Sequence, residues 1–249
     1  MVILKLPEEI EKARASSLIV AEVLNKLRDK VKPGVTTKEL DKFAEEVARK
    51  RGAKPAFKGY RGYPFSLCTS VNEEVVHGMP SERILKEGDI ISLDFGVCYN
   101  GFYGDAAITL PVGRISASAQ KLIEVTERSL YAGIEQAREG NRLGDISSSV
   151  QQIVEAPGFS VVRDFVGHGI GRNLHEDPQI PNYGKKGRGI ELKSGMILAI
   201  EPMVNQGNYQ VKILEDGWTV VTEDGLLSAH FEHSVAITDK GPEILSKLN

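Results

Sequence analysis

Apolar side chains recur at helical spacing in four stretches of the chain. Over residues 8–30, Ile10, Ala13, Val20, Leu24 and Leu27 share one face, with Ser17 a weak member, and Pro33-Gly34 ends the segment. Thr36 and Glu39 then have the T-x-x-E spacing of a capping box, in which each side chain satisfies a backbone N–H at a helix start. Leu40, Phe43, Ala44, Val47 and Ala48 make the buried face of that second helix, closed by Gly52. A third helix is predicted over 118–139, stopping at Gly140, and a fourth over 145–155, stopping at Pro157-Gly158. Strand patterns fall at 66–71, 90–98, 103–110, 160–164, 197–201, 211–214, 218–222 and 229–237. Helices and strands interleave with no linker or low-complexity stretch, so residues 1–249 read as one α+β domain.

One segment echoes another. Leu85-Lys86-Glu87-Gly88-Asp89-Ile90-Ile91-Ser92-Leu93-Asp94 aligns with Leu192-Lys193-Ser194-Gly195-Met196-Ile197-Leu198-Ala199-Ile200-Glu201 at a constant offset of 107 residues. Both are a glycine turn feeding an apolar strand that ends in a carboxylate. A duplicated half-domain explains this, and it would set Asp94 and Glu201 about a pseudo-two-fold axis facing one site.

The carboxylates are out of place in such strands. Ile90–Val97 is apolar enough for burial on both faces, where a lone ionised Asp94 is costly unless paired or bound to a metal. Asn100-Gly101 is a strong type I′ hairpin signal. With those two residues as the loop, Tyr99 pairs with Phe102 and Asp105 lies opposite Gly96, on the same face as Asp94. Two carboxylates then converge in a poorly solvated place and call for a cation. Glu201 ends its strand against Pro202, and Glu232 shares a small, polar face with Ser228, His230, Ser234 and Ala236.

Composition narrows the partners. The formal charge of −3 over 249 residues lacks the basic excess that coating nucleic acid or anionic lipid requires. No apolar run reaches the roughly 18–20 residues of a membrane span. The N-terminal MVILKLPEEIEKAR has no basic region followed by a small-residue cleavage site, so the expectation is a cytoplasmic protein. Cys68 and Cys98 are then expected to be reduced thiols.

Five histidines supply the other ligand type. His168 lies between glycines in Val166-Gly167-His168-Gly169-Ile170-Gly171, which is expected to bring the backbone close and expose the ring. His175 follows seven residues later, His77 sits in Val75-Val76-His77-Gly78-Met79-Pro80, and His230 and His233 flank Glu232. Taken together, D-x₁₀-D, the glycine-flanked His, a strand-end Glu before Pro and a late Glu before His resemble the metal-binding set of the methionine aminopeptidases. Gly59-Tyr60-Arg61-Gly62-Tyr63-Pro64, Asn72–Pro80, Ala199–Pro202, Asp216-Gly217-Trp218-Thr219 and Ser228–His233 are similar to that family's motifs, over roughly residues 8–240.

The resemblance implies the pita-bread fold with internal pseudo-two-fold symmetry, in the short bacterial type I form. It carries five metal ligands over to Asp94, Asp105, His168, Glu201 and Glu232, holding two divalent ions per chain. Asp105 and Glu232 would bridge the ions, Asp94 would chelate one, and His168 and Glu201 would complete the other. So hard a donor set favours Mn²⁺, Fe²⁺ or Co²⁺. The implied reaction is metal-assisted removal of the N-terminal methionine of nascent chains with a small second residue. Glu201 would handle the proton, His175 would bond the carbonyl oxygen, and His77 the amide nitrogen. The methionine pocket would be Tyr60, Tyr63, Cys68, Leu174 and Trp218, with Leu174 and Phe57 departing from residues usual in the family. Asn72, Glu74 and Ser228 match positions that hold a monovalent cation in relatives. The partners implied are nascent polypeptides and a transient contact with the ribosome, for a monomer with no nucleic-acid specificity and no membrane. X-Pro dipeptidases and aminopeptidase P share the fold and ligands but usually carry a large N-terminal domain. A non-catalytic binding module would not need all five ligands, nor a structural metal site His77, His175 and the aromatic pocket.

Overall fold

A computed structural model describes residues 2–248. Four α-helices form among the described residues: α1 (Pro7–Arg28), α2 (Thr37–Lys50), α3 (Ala117–Gln136) and α4 (Leu143–Glu155). The capping box at α2 is made as expected: Glu39 N–H donates to the Thr36 hydroxyl, and Thr36 N–H donates to the Glu39 carboxylate. Among the described residues no helix is long and apolar enough to cross a membrane.

The main sheet has nine strands. Its central path runs Lys54–Pro55, Ile90–Tyr99, Phe102–Pro111, Glu232–Thr238, Ile197–Ile200, Gly167–Gly169 and Glu176–Ile180, all paired antiparallel. Leu67–Val71 also pairs with Ile90–Tyr99, and Gly241–Ile244 with Glu232–Thr238. The central hairpin has the register the sequence predicts: Tyr99 opposite Phe102 and Gly96 opposite Asp105. Asn100 and Gly101 both take positive φ, 50° and 77°, as a type I′ turn demands.

The two halves repeat. The strand holding Asp94 and the strand leading into Glu201 flank the central pair 102–111 and 232–238 on opposite sides. Gly88 and Gly195 turn their equivalent corners with φ of 96° and 91°. A bridge joins Thr36 to Ile84 before α2, and its counterpart joins Arg142 to Glu191 before α4. Helices cover one face of the sheet. A Cβ on Gly104 would come within 2.5 Å of the Ser17 backbone nitrogen, so α1 lies directly on that strand. Asp105, one residue on, points to the other face. In the second half α3 lies against Ile200, which a Cβ on Gly133 would meet at 3.7 Å, and Glu201 follows on the chain.

The structure corrects several boundaries. The predicted strand 229–237 is two strands, Ser228–His230 and Glu232–Thr238, in different sheets. The chain changes sheet at Phe231, whose N–H donates to the Pro202 carbonyl. The 160–164 pattern shortens to Ser160–Val161, paired with Met203–Asn205. Residues 216–219 form a turn instead of a strand start, because the Asp216 carboxylate accepts the N–H groups of Trp218 and Thr219.

Candidate metal centre

The sheet register builds the site as a grid. Cys68, Asp94, Ala107 and Glu232 are direct partners across four neighbouring strands. Residues paired in this way share a face. Asp105 lies two residues from Ala107 on that same face. Glu201 enters from the second half, where Ile200 pairs with His233. Its backbone is fixed by the Asn182 amide, which donates to the Glu201 carbonyl.

His168 is buried, 8% exposed, so the exposed ring expected of a glycine-flanked histidine is a misreading. The glycines serve the neighbouring strands. A Cβ on Gly167 would stand 2.4 Å from the Ala199 carbonyl oxygen, and one on Gly169 2.2 Å from that of Asp177. The His168 Nδ1–H donates to the Gly169 carbonyl at 2.9 Å, which leaves Nε2 as a lone-pair donor toward the carboxylates. That Nε2 lies 3.6 Å from Glu201 Oε1. Ligand atoms of Asp105, His168 and Glu232 all lie within 4.8 Å of one another.

This donor set fits a metal. Asp94 Oδ1, Asp105 Oδ1 and Glu232 Oε1 are buried without a hydrogen-bond partner in the protein. Buried carboxylate oxygens normally find donors, and their lack here is what a cation would relieve. Burial, with repulsion from Glu201, pushes Asp94 up to about 7. Burial also pushes Glu201 up to about 8. Burial, with repulsion from Asp94 and Glu201, holds Asp105 and Glu232 well above the carboxylate range. Burial pulls His168 down to about 3, so its ring is neutral and free to coordinate.

One cavity opens over the carboxylates. Its wall includes Phe57, Tyr60, Tyr63, Cys68, His77, Leu174, His175 and Trp218, so every expected pocket residue lines it. Arg61, Val76, Phe165, Val166 and Met203 also line it and were not singled out from the sequence. The Cys68 thiol is held neutral by burial and by Asp94, and acts as wall. His175 stacks on Tyr60 with ring centroids 5.2 Å apart, and its Nδ1 pairs with the Tyr60 hydroxyl at 2.9 Å. His77 sits edge-on to Phe165 and Trp218 with φ of 59°, a conformation rare for a side chain of its size and often found at functional positions. Burial, with His230 and His175 nearby, pulls it down to about 4.

The side chains at the expected monovalent-cation positions already have hydrogen-bond partners in the protein. Asn72 bonds Asp89 and Ile90, Glu74 bonds Val71 and Arg83, and Ser228 bonds Val204 and Asn205.

The sequence profile of metallopeptidase family M24 matches residues 11–239, and the chain belongs to that family. A methionine aminopeptidase of Clostridium perfringens is 61% identical over 99% of both chains. The crystal structure of methionine aminopeptidase from Thermotoga maritima superposes with a TM-score of 0.98 at 50% identity, covering all of both chains. Within family M24 the chain therefore stands with the methionine aminopeptidases. A prolidase from Pyrococcus furiosus has the same fold, with a TM-score of 0.79 at 24% identity, but the match covers only 66% of that chain.

Proposed function

We propose that this protein removes the N-terminal methionine of peptides and nascent proteins whose second residue is small, using two divalent ions held by Asp94, Asp105, His168, Glu201 and Glu232. The observation that carries the reading is the set of partnerless buried carboxylate oxygens on the floor of the aromatic cavity. Mn²⁺, Fe²⁺ and Co²⁺ suit four carboxylates and one imidazole. Such ions lower the pKa of water toward neutrality and polarise a carbonyl.

The protein's own groups do the rest. Tyr60, Tyr63, Cys68, Leu174 and Trp218 enclose an unbranched thioether chain, which packs well against aromatic edges. With the Tyr60 hydroxyl as donor to His175 Nδ1, the ring proton sits on Nε2, where it can bond the carbonyl oxygen as negative charge develops. His77, neutral at working pH, bonds the amide nitrogen beside the cut. Glu201 takes a proton from water and passes it to the leaving amine. Substrates are drawn from emerging polypeptides in the cytoplasm, so any ribosome contact is transient.

Replacing His77 or His175 with alanine is expected to leave metal content unchanged while kcat falls about 10²–10³-fold, the usual effect of losing one transition-state donor. Metal analysis beside steady-state kinetics checks this; loss of metal in either variant would make that histidine a ligand. The substrate reading is tested by competition among Met-Ala-Ser, Leu-Ala-Ser and Ala-Pro. Met-Ala-Ser should win, with Leu-Ala-Ser slower by roughly 10–200-fold, the range for a changed branch in an apolar pocket. Preference for Ala-Pro would overturn the reading in favour of an X-Pro dipeptidase.

A further inference from the structure

The Glu201 carboxylate lies between two imidazoles. Oε1 is 3.6 Å from His168 Nε2, and Oε2 is 3.5 Å from His230 Nε2. His168 lines the cavity with the other candidate ligands, whereas His230 does not reach the cavity wall. The His230 side chain is 2% exposed, and its Nε2 is a buried polar atom with no hydrogen-bond partner. Its backbone is tightly held: His230 N–H donates to the Thr109 hydroxyl at 2.9 Å, and that hydroxyl donates back to the His230 carbonyl at 2.8 Å. Ser92 bonds the same hydroxyl at 2.8 Å, two residue pairs along from Asp94 and Ala107 and on their face of the sheet. The imidazole is therefore anchored to the strands that carry Asp94 and Asp105 while it faces a group from the other half.

We infer that His230 is a positioning residue: its Nε2–H donates to Glu201 Oε2, so that Glu201 presents Oε1 to the metal site. The separation of 3.5 Å is slightly longer than a normal N–H···O bond, and a small rotation of the carboxylate closes it. Such bonds commonly tighten only when the site is loaded. A fixed donor behind a ligating carboxylate reduces the freedom lost on binding and sets which oxygen coordinates. The inference rests on Glu201 being a ligand, as proposed above.

The test compares His230→Gln, which keeps an N–H donor, with His230→Met, which matches glutamine in shape without one. Glu201→Gln is the control. Apoprotein is titrated with Mn²⁺ and with Co²⁺ by calorimetry, and the visible spectrum of the Co²⁺ form is recorded. His230→Met should bind metal about 10–100-fold more weakly, the usual effect of losing such a supporting partner, with a changed Co²⁺ spectrum. His230→Gln should recover most of the affinity and the spectrum. In peptide hydrolysis at saturating metal, His230→Met should lower kcat with KM little changed. Wild-type affinity and spectrum in folded His230→Met would overturn the inference, provided Glu201→Gln is impaired. Equal impairment of His230→Gln and His230→Met would also overturn it, because the donor would then not be what matters. Unimpaired metal binding in Glu201→Gln would instead overturn the ligand assignment on which it rests.

Discussion

Replacing Asp105 with asparagine is expected to abolish peptide hydrolysis and to make the metal-free protein more stable. Asp105 is buried, its Oδ1 has no partner in the protein, and it shares its face with Asp94 and Glu232. Losing a single preorganised group that stabilises charge costs about 10²–10³ in rate, and loss of a bridging ligand should exceed that. Asparagine keeps the shape but removes a like charge. Without metal, burial and repulsion from Asp94 and Glu201 force this aspartate to give up the charge it carries in the unfolded chain, a cost that asparagine does not incur. Kinetics and thermal unfolding of the variant with and without chelator measure both effects, and metal analysis shows whether the ions are lost. Wild-type metal content with wild-type turnover would remove Asp105 from the site.

Chelation of the wild-type protein should have the next largest effect. Activity should vanish and return with Mn²⁺, Co²⁺ or Fe²⁺. A metal held at 100 times its Kd stabilises the folded state by about 2.7 kcal/mol. For a chain of this size that corresponds to a Tm lower by roughly 5–11 °C after chelation. The apoprotein should also respond to pH in a definite direction. Asp94 and Glu201 are raised to about 7 and about 8, above their ordinary values. Groups raised in this way favour folding at low pH and lose that contribution as pH rises through the folded value. All five histidines are lowered, so they oppose this trend around the unfolded imidazole value and are neutral in both states only above about pH 7.5. Apoprotein Tm should therefore fall between about pH 7.5 and 8.5, and saturating metal should flatten that dependence. Metal uptake in the same window should release protons, which titrations in buffers of different ionisation enthalpy detect. A Tm indifferent to chelator would contradict the proposed centre.

Much of this site could be read from the sequence because a two-residue hairpin fixes register. Once Asn100-Gly101 is the turn, Asp94 and Asp105 must share a face, and the structure pairs Gly96 with Asp105 accordingly. The repeated Leu-Lys-x-Gly segment likewise announced that Asp94 and Glu201 belong to equivalent strands. Other parts carried no periodic signal. Gly167–Gly169, Glu74–Val76 and Met203–Asn205 are three residues each, too short to show alternation. The break at Phe231 depends on the distant Pro202 carbonyl, and the turn before Trp218 depends on which N–H groups Asp216 accepts. The burial of His168 follows from strands closing over Gly167 and Gly169, a long-range consequence that local sequence does not express. The placement of His230 behind Glu201 required the two sheets to meet, and no spacing between residues 201 and 230 encodes it.

The central claim is metal-dependent cleavage after a free N-terminal methionine. Its most direct measurement is hydrolysis of Met-Ala-Ser and of N-acetyl-Met-Ala-Ser by one preparation, as apoprotein and after titration with Mn²⁺. The account predicts no cleavage by the apoprotein, release of free methionine from the unblocked peptide in step with metal added, and an inert acetylated peptide. Cleavage of both peptides, or full activity in the rigorously metal-free sample, would contradict it.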